Sequence, residues 1–492
     1  MKERLAKSIF WITWSRGVGQ LVSFLSSLAV ARWLSPADYG LMAVAGIWTG
    51  IMLLMSEMGL GAAIVQFQEL TADELNSCFW LIMSLATVGY LALYLSAPLL
   101  EMWFSTPMLG DVLRVVGLGL PLLAIRVVPD GLLRKQLAFD RLSQADIFST
   151  MVTVPVVLGI AWVGGGVWAL VAGALVAPAV QDIAIFWFTK WLPGIRMGSK
   201  RFGPLMRYSL AALVSRVSWA TYQQADIFVL GKVSGDVTLG FYSMAKELAA
   251  LPVTRISAVV NQLASPVMAE LQVSPEALRA TLLRALRLVA AASLPLCTGL
   301  ILVAEDFVRV VLTEKWTPAV SILKILCVYS MLSSVAVLLV PPLMARFRVG
   351  FVFRYTLLQL LVMPIAFWVG AAWSGAVGVA LAWAAIYPLG FAWLVREVVR
   401  ELGIPWAVFL IQFRPAVVAT VIMTVVVLLV QVGWGSLVSA QIASRLAGSV
   451  LAGALGYGTA LWFFGDPVRR EILEVAGWVL QGGRAFGMGR AN

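Results

Sequence analysis

Few residues in this chain have types and spacing that suggest chemistry. The most telling are two arginines, Arg16 and Arg216, set 200 positions apart inside long apolar stretches. A guanidinium is always charged and grips phosphate or carboxylate through paired hydrogen bonds. Inside a bilayer such a group is costly and marks a substrate or ion path. The surroundings of the two agree without a gap. Lys7 matches Arg207, Ser15 matches Ser215, Arg32 matches Lys232, Gly40 matches Gly240 and Ala45 matches Ala245. In so apolar a chain the identities alone carry little weight. The rare charges falling in register carry more, and they point to two copies of one unit.

The other intramembrane polar groups are Glu57, followed by Gly59-Leu-Gly61; Asp226, preceded by Tyr222-Gln223-Gln224; and Lys246, Glu247 and Arg255. One reading is a cationic cavity between two lobes, with Arg16, Arg216 and Arg255 holding a diphosphate-linked or acidic sugar headgroup. Glu57, Asp226 and Glu247 then serve as counter-ions or coupling-ion sites. The opposing reading is a buried ion pair between an arginine and Glu57 or Asp226 that only locks helices. Lys246 and Glu247 are neighbours and point about 100° apart on a helix, so they need not pair. Trp14 and Trp219 are candidate sugar contacts, while Arg32 and Lys232 are expected to snorkel to the outer interface. Glu305-Asp306 reads as a solvated loop-end pair rather than as catalytic carboxylates. The chain has no histidine, which excludes His-based catalysis, His metal ligation and a His relay. Cys78, Cys297 and Cys327 lack metal spacing and read as apolar packers. No phosphate-binding GxxxxGK[ST] loop occurs, so ATP hydrolysis is excluded. Nothing calls for a metal or cofactor.

The elements that must position these groups are membrane helices. The chain has 492 residues, 61% hydrophobic and 12% charged, with mean hydropathy +0.91, where a soluble protein would be about one-quarter charged. Apolar runs long enough to cross a bilayer lie near 9–31, 40–66, 78–100, 109–128, 145–164, 167–190, 205–231, 239–264, 282–303, 318–341, 352–372, 375–396, 413–433 and 444–465. The expected fold is therefore an all-α integral membrane protein of about 14 transmembrane helices. The basic N-terminus runs into an uncleaved first span rather than a signal peptide. With the N-terminus inside, roughly 25 of the 36 Lys and Arg fall on the cytoplasmic side and about seven outside. Both termini are then cytoplasmic. The first inner loop, with Glu69, Asp73 and Glu74, is acidic and departs from the trend. The net charge of +11 is topogenic and does not imply a nucleic-acid partner.

The repeat continues. Arg114 and Lys324 occupy matching places, Leu132-Leu133-Arg134 matches Met344-Ala345-Arg346, and Gly166-Val-Trp-Ala-Leu170 matches Gly378-Val-Ala-Leu-Ala382. Residues 1–200 and 201–400 are expected to be two six-helix lobes of the same orientation. Residues 401–466 add two helices, and 467–492 form a cytoplasmic interfacial helix and flexible tail. Within that helix Arg469, Arg470, Glu471 and Glu474 are expected to be wet, with Ile472, Val475 and Val479 toward lipid.

Several stretches resemble one family. Leu28-Ala-Val-Ala-Arg32-Trp-Leu-Ser-Pro36-Ala-Asp-Tyr-Gly40 resembles the "AR.L.P.dyG" signature that closes its first span. Glu57 to Gln66, Leu132 to Phe139, Gly166 to Leu170, Ala225 to Gly231 and Leu239 to Ala245 follow its later patterns in order. By these residues the chain resembles the Wzx-type polysaccharide and oligosaccharide flippases of the MOP superfamily, in its exopolysaccharide branch. The resemblance implies two six-helix bundles in a V shape in the bacterial inner membrane. It also implies translocation of undecaprenyl-diphosphate-linked oligosaccharide repeat units from the cytoplasmic to the periplasmic leaflet, for exopolysaccharide or O-antigen assembly. Expected partners are that lipid-linked oligosaccharide, membrane lipids, and the polymerase and export proteins of the pathway, with the transporter itself a monomer. The alternatives are a lipid II flippase or a small-molecule cation antiporter of the same fold, and then a membrane polysaccharide polymerase. An antiporter would favour a net acidic cavity, and a polymerase a catalytic outer loop.

Overall fold

The computed structural model describes residues 19–67, 70–136, 138–196, 198, 202–259, 268, 274–437, 442–466 and 468–471, some of them by their backbone alone. Among these the chain is helical with no strand. Among the described residues ten helices are long and apolar enough to cross a membrane, with mean hydropathy from 1.3 to 2.5. Large side chains such as Trp187, Val432 and Leu95 are about three-quarters exposed on their flanks, as surfaces solvated by lipid are. The chain is a multi-pass membrane protein. Its described residues form two compact units, one ending at Gly240 and the other beginning at Phe241.

The first unit contains α1 (residues 19–33), α2 (Pro36–Glu57), α3 (Leu60–Gln66), α4 (Ala72–Phe104), α5 (Leu109–Val116), α6 (Gly119–Ile125), α7 (Val127–Lys135), α8 (Phe139–Trp162), α9 (Val167–Thr189) and the first limb of α10 (Phe202–Val259) with the start of its second. As one straight rod α10 would run about 87 Å, roughly twice a bilayer's full thickness. Gly235, at φ 77°, breaks it and turns the chain back. The core between α3, α4 and α7 is a block of fully buried apolar groups, among them Leu60, Ile64, Ile82 and Val128.

The 28–40 motif has a mechanical meaning. Pro36 opens α2, and Ser35 and Asp38 cap it reciprocally: Ser35 N–H donates to Asp38 Oδ2 at 2.8 Å, and Asp38 N–H donates to Ser35 Oγ at 3.3 Å. The other oxygen, Asp38 Oδ1, accepts from Val167 N–H at 3.0 Å, at the start of α9. One carboxylate thus caps two helices and offsets unpaired N–H groups at both. Gly166 supplies the turn before α9 at φ 53°, ψ −133°. Asp38→Ala is therefore expected to destabilise the protein by about 2 kcal/mol, one cap's worth at each helix. Thermal unfolding in detergent tests it, with Asp38→Asn falling between the two because an amide oxygen still accepts.

Gly40 and Gly240 meet. A Cβ on Gly40 would lie 1.9 Å from the backbone oxygen of Asp236, and one on Gly240 would lie 1.7 Å from that of Pro36. The repeat-related glycines are thus the two sides of one backbone crossing. A strap, residues 191–196 and 198, lies along the start of α4. Asn76 Nδ2 donates to Arg196 O at 3.1 Å, Gly194 N–H donates to Asn76 Oδ1 at 2.9 Å, and Trp80 Nε1 donates to Gly194 O at 2.9 Å. Ser77 Oγ donates to Gly198 O at 3.0 Å.

The second unit contains α11 (Pro275–Phe307), α12 (Ala319–Ala345), α13 (Val349–Ala385), α14 (Tyr387–Glu401), α15 (Trp406–Ile411), α16 (Arg414–Leu437) and α17 (Ile442–Phe464). Ser374 and Gly375 break α13. Gly375, at φ 56° and ψ −133°, has the same backbone conformation as Gly166. It is therefore the conformational counterpart of Gly166, three residues before the Gly378 that the sequence pairing picks. Trp383 fills the core, with its ring 4.3 Å from Tyr329 and its Nε1–H donating to Tyr242 Oη at 3.1 Å.

Helices α16 and α17 are fastened to α11 along its length. Arg445 makes two bonds to Asp306, one from Nε at 2.8 Å, near the C-terminal end of α11. Gln431 Nε2 donates to Leu302 O at 3.2 Å and Tyr457 Oη to Ala291 O at 2.6 Å. Toward the N-terminal end of α11, Arg287 Nη2 donates to Glu471 Oε1 at 2.6 Å. Two expectations are corrected here. Asp306 is 4% exposed and serves as an anchor, whereas Glu305 is exposed and pairs with Arg309 at 2.9 Å. Glu471 is 7% exposed and held by Arg287 rather than wet. In both cases a cation from a distant part of the chain offsets the cost of burying the acid.

Candidate functional site

Arg16 and Trp14 lie outside the described residues. Arg216, Trp219 and Arg255 lie on α10, described by their backbone alone. Three expected site side chains are described. Glu57 is half-buried at the last turn of α2. It stands against Gly61, where a Cβ would come 2.8 Å from its Oε1. This explains the glycine that follows Glu57 in the motif, since a larger residue would push the carboxylate away. Asp226 is fully buried on α10 and accepts from Ile227 N–H at 2.7 Å. Glu247 is exposed on the second limb of α10.

Depth separates Glu57 from Asp226. At 1.5 Å per residue, Glu57 lies about 32 Å along α2 from its start, whereas Asp226 lies only about 14 Å from the turn at Gly235. The backbone of Arg216 lies about 28 Å from that turn by the same measure. Arg216 therefore shares a level with Glu57 and not with Asp226.

At the level of Glu57 the structure brings together a polar group that the sequence reading did not single out. Arg126 sits at the junction of α6 and α7 and serves as the C-cap of one and the N-cap of the other. Its Nη1 donates to Gln181 Oε1 on α9. Gln181 Nε2 in turn donates to Asp146 Oδ1 on α8 at 2.8 Å. Asp182, next along α9, is 6% exposed, and neither carboxylate oxygen has a hydrogen-bond partner. Ser143 Oγ, one turn from Asp146 on α8, is also buried without a partner. Arg134 grips Asp130 through Nε at 2.5 Å and Nη2 at 3.3 Å, within electrostatic reach of Asp146 and Glu57. A signal for this group was present in the sequence. Asp146 stands seven residues after the start of α8 and Asp182 seven before the end of the adjacent antiparallel α9, so both fall at the same depth.

Chemically the level offers two guanidiniums, several carboxylates and a relaying amide inside an apolar lobe. That composition suits the binding of a polar group and the relay of charge between helices. The packing and order of the helices resemble those of solved MOP-superfamily transporters. The described solved structure of the lipid II flippase MurJ in an inward closed conformation overlays with a TM-score of 0.72, covering 93% of this chain and 99% of that one at 14% identity. An inward-facing multidrug resistance MATE transporter overlays with a TM-score of 0.62, covering 77% and 95% at 14% identity.

A family profile described as "Polysaccharide biosynthesis protein" matches residues 29–321, and the chain belongs to that family. Lipopolysaccharide biosynthesis protein WzxC of Escherichia coli (strain K12) is 25% identical over 372 residues, 72% of each chain. Teichuronic acid biosynthesis protein TuaB of Bacillus subtilis (strain 168) is 26% identical over 413 residues, 82% of this chain and 84% of that one. The resemblance read from the motifs holds.

Proposed function

We propose that the protein flips an undecaprenyl-diphosphate-linked oligosaccharide repeat unit from the cytoplasmic to the periplasmic leaflet of the bacterial inner membrane, with both termini cytoplasmic. Membership of the polysaccharide biosynthesis family on a transporter fold carries this reading. The charge bias of the loops supports this orientation, and the family together with the fold supports a transporter rather than an enzyme. Fourteen helices in two six-helix bundles, plus an added pair, carry out alternating access as one bundle rocks against the other.

In this reading Arg16, Arg216 and Arg255 meet the diphosphate and acidic sugars, and the polyprenyl tail stays in lipid. Guanidiniums suit the task because a desolvated diphosphate needs fixed, paired donors. Glu57, Asp226 and Glu247 balance or couple the charge. The glycan then passes to the polymerase and export proteins of its pathway, and a monomer suffices for the transport step.

The test is reconstitution in liposomes with a fluorescent undecaprenyl-diphosphate oligosaccharide. Arg16→Ala and Arg216→Ala, at wild-type expression and fold, are expected to lose translocation by tenfold or more, on the order of one charge-assisted contact or better. Wild-type rates in both variants would remove the arginines from the substrate path.

A further inference from the structure

Asp182 has no role in the reading above, and its surroundings are unusual. It lies on α9 about 23 Å from the outer end of that helix, 6% exposed, with both carboxylate oxygens buried and unpartnered. A charged carboxylate without a donor in an apolar interior costs several kcal/mol. A neutral carboxyl removes most of that cost, and its own O–H becomes a donor. Arg126 lies within electrostatic reach but spends a donor on the neighbouring Gln181 instead.

We propose that Asp182 is a proton-binding site of the first unit, and that loss of its proton switches the partner of Arg126. With the proton on, Arg126 donates to Gln181, and Gln181 to Asp146, as observed. When the proton leaves to solvent, the carboxylate draws the guanidinium from Gln181 Oε1 and breaks the relay to Asp146. No other bond changes and the charge balances: one proton is released, and one anion is left paired with a cation already present. Arg126 forms the joint between α6 and α7, so the exchange acts where the inner part of this span can change direction.

The charged groups around Asp182 are accounted for. Arg126 from the α6–α7 junction and Asp146 from α8 share its level, with Glu57, Asp130 and Arg134 beyond them. Asp140 and Arg141 on α8 and Lys135 on α7 belong to the inner ends; Arg141 bonds Phe188 O and Lys135 bonds Phe67 O. Asp38 on α2 and Asp111 and Arg114 on α5 lie toward the outer side, where Asp38 caps α9. A sodium ion is disfavoured because the charged group within electrostatic reach of Asp182 is a guanidinium.

The site stands apart from the identity of the transported lipid; only its use to drive transport rests on the proposed function. The experiment is therefore made on the purified protein with no glycan present. Infrared difference spectra between acid and alkaline buffer are expected to show a protonated-carboxyl band in wild type. The band should be lost in Asp182→Asn and kept in Asp146→Asn. In wild type alone, dicyclohexylcarbodiimide, which modifies protonated buried carboxyls, is expected to label Asp182 by peptide mass spectrometry, faster at acid pH. A band that persists in Asp182→Asn, a label that spares Asp182, or a signal displaced by sodium rather than by protons would each overturn the proposal. A glycan flippase that fails the reconstitution assay yet shows the band would leave the proton site standing and sink only the transport reading.

Discussion

Gly240→Ala and Gly40→Ala are each expected to destabilise the protein by about 3 kcal/mol, the upper range for overpacking a filled contact. The cause is one methyl group in a space already held by backbone. The added carbon would sit 1.7 Å from Pro36 O in one case and 1.9 Å from Asp236 O in the other, where about 3 Å is the closest approach tolerated. A flexible side chain could swing aside, but a carbonyl inside a helix cannot. The two backbones must therefore part by about 1 Å or more, and neighbouring packing parts with them. Because either methyl opens the same crossing, the double variant should cost clearly less than the sum of the two. The controls lie on the same helix. A Cβ on Gly46 or Gly50 meets nothing within 4 Å, so alanine there should be neutral or stabilise by up to about 1 kcal/mol through helix propensity. Thermal or denaturant unfolding of the purified protein in one detergent compares the four. Equal stability of Gly240→Ala and Gly46→Ala would sink the account.

Arg445→Ala is the second large effect, expected at about 3 kcal/mol. Removing the guanidinium strands Asp306, which is 4% exposed, without its two bonds. A buried charge left alone costs more than the pair was worth. The partly exposed side of Arg445 keeps the figure at the low end of the range for buried pairs. Asp306→Asn should cost less, since a neutral amide leaves no bare charge. In Arg445→Ala, Asp306→Leu the loss should shrink further, because neither charge remains buried. Hydrogen exchange gives the spatial readout. Faster exchange confined to α16 and α17 is expected, because those helices lose an anchor on α11. Uniform exchange across both units would show that the pair does not act locally.

Membrane class and the helical character of the apolar runs were legible because both rest on composition or on periodicity within one segment. Gly40 and Gly240 show how far that goes. Their register paired them in the sequence, and the structure makes them the two faces of one crossing. Other features depend on where separate helices meet. The motif around Asp38 was visible, but its bond to Val167, 129 residues on, was not. Asp306 read as a loop-end acid and Glu471 as the wet face of an interfacial helix because their cations, Arg445 and Arg287, lie 139 and 184 positions away. Arg126, Asp146, Gln181 and Asp182 escaped notice because no member repeats in the other half. Only the shared depth of Asp146 and Asp182 on neighbouring antiparallel helices tied them together.

The strap formed by residues 191–196 and 198 bears on where this polypeptide can be divided. Its hydrogen bonds to Asn76, Ser77 and Trp80, and the ring of Trp191 packed 5.6 Å from Phe79, make it part of the first unit's fabric even though it follows the last turn of α9. A pair of co-expressed halves cut just after Thr189 would take these partners from α4 and leave its buried Asn76 and Ser77 without them. A cut placed beyond Gly198 would deliver a first fragment with its own strap in place, and complementation between such fragments should work only from the later cut.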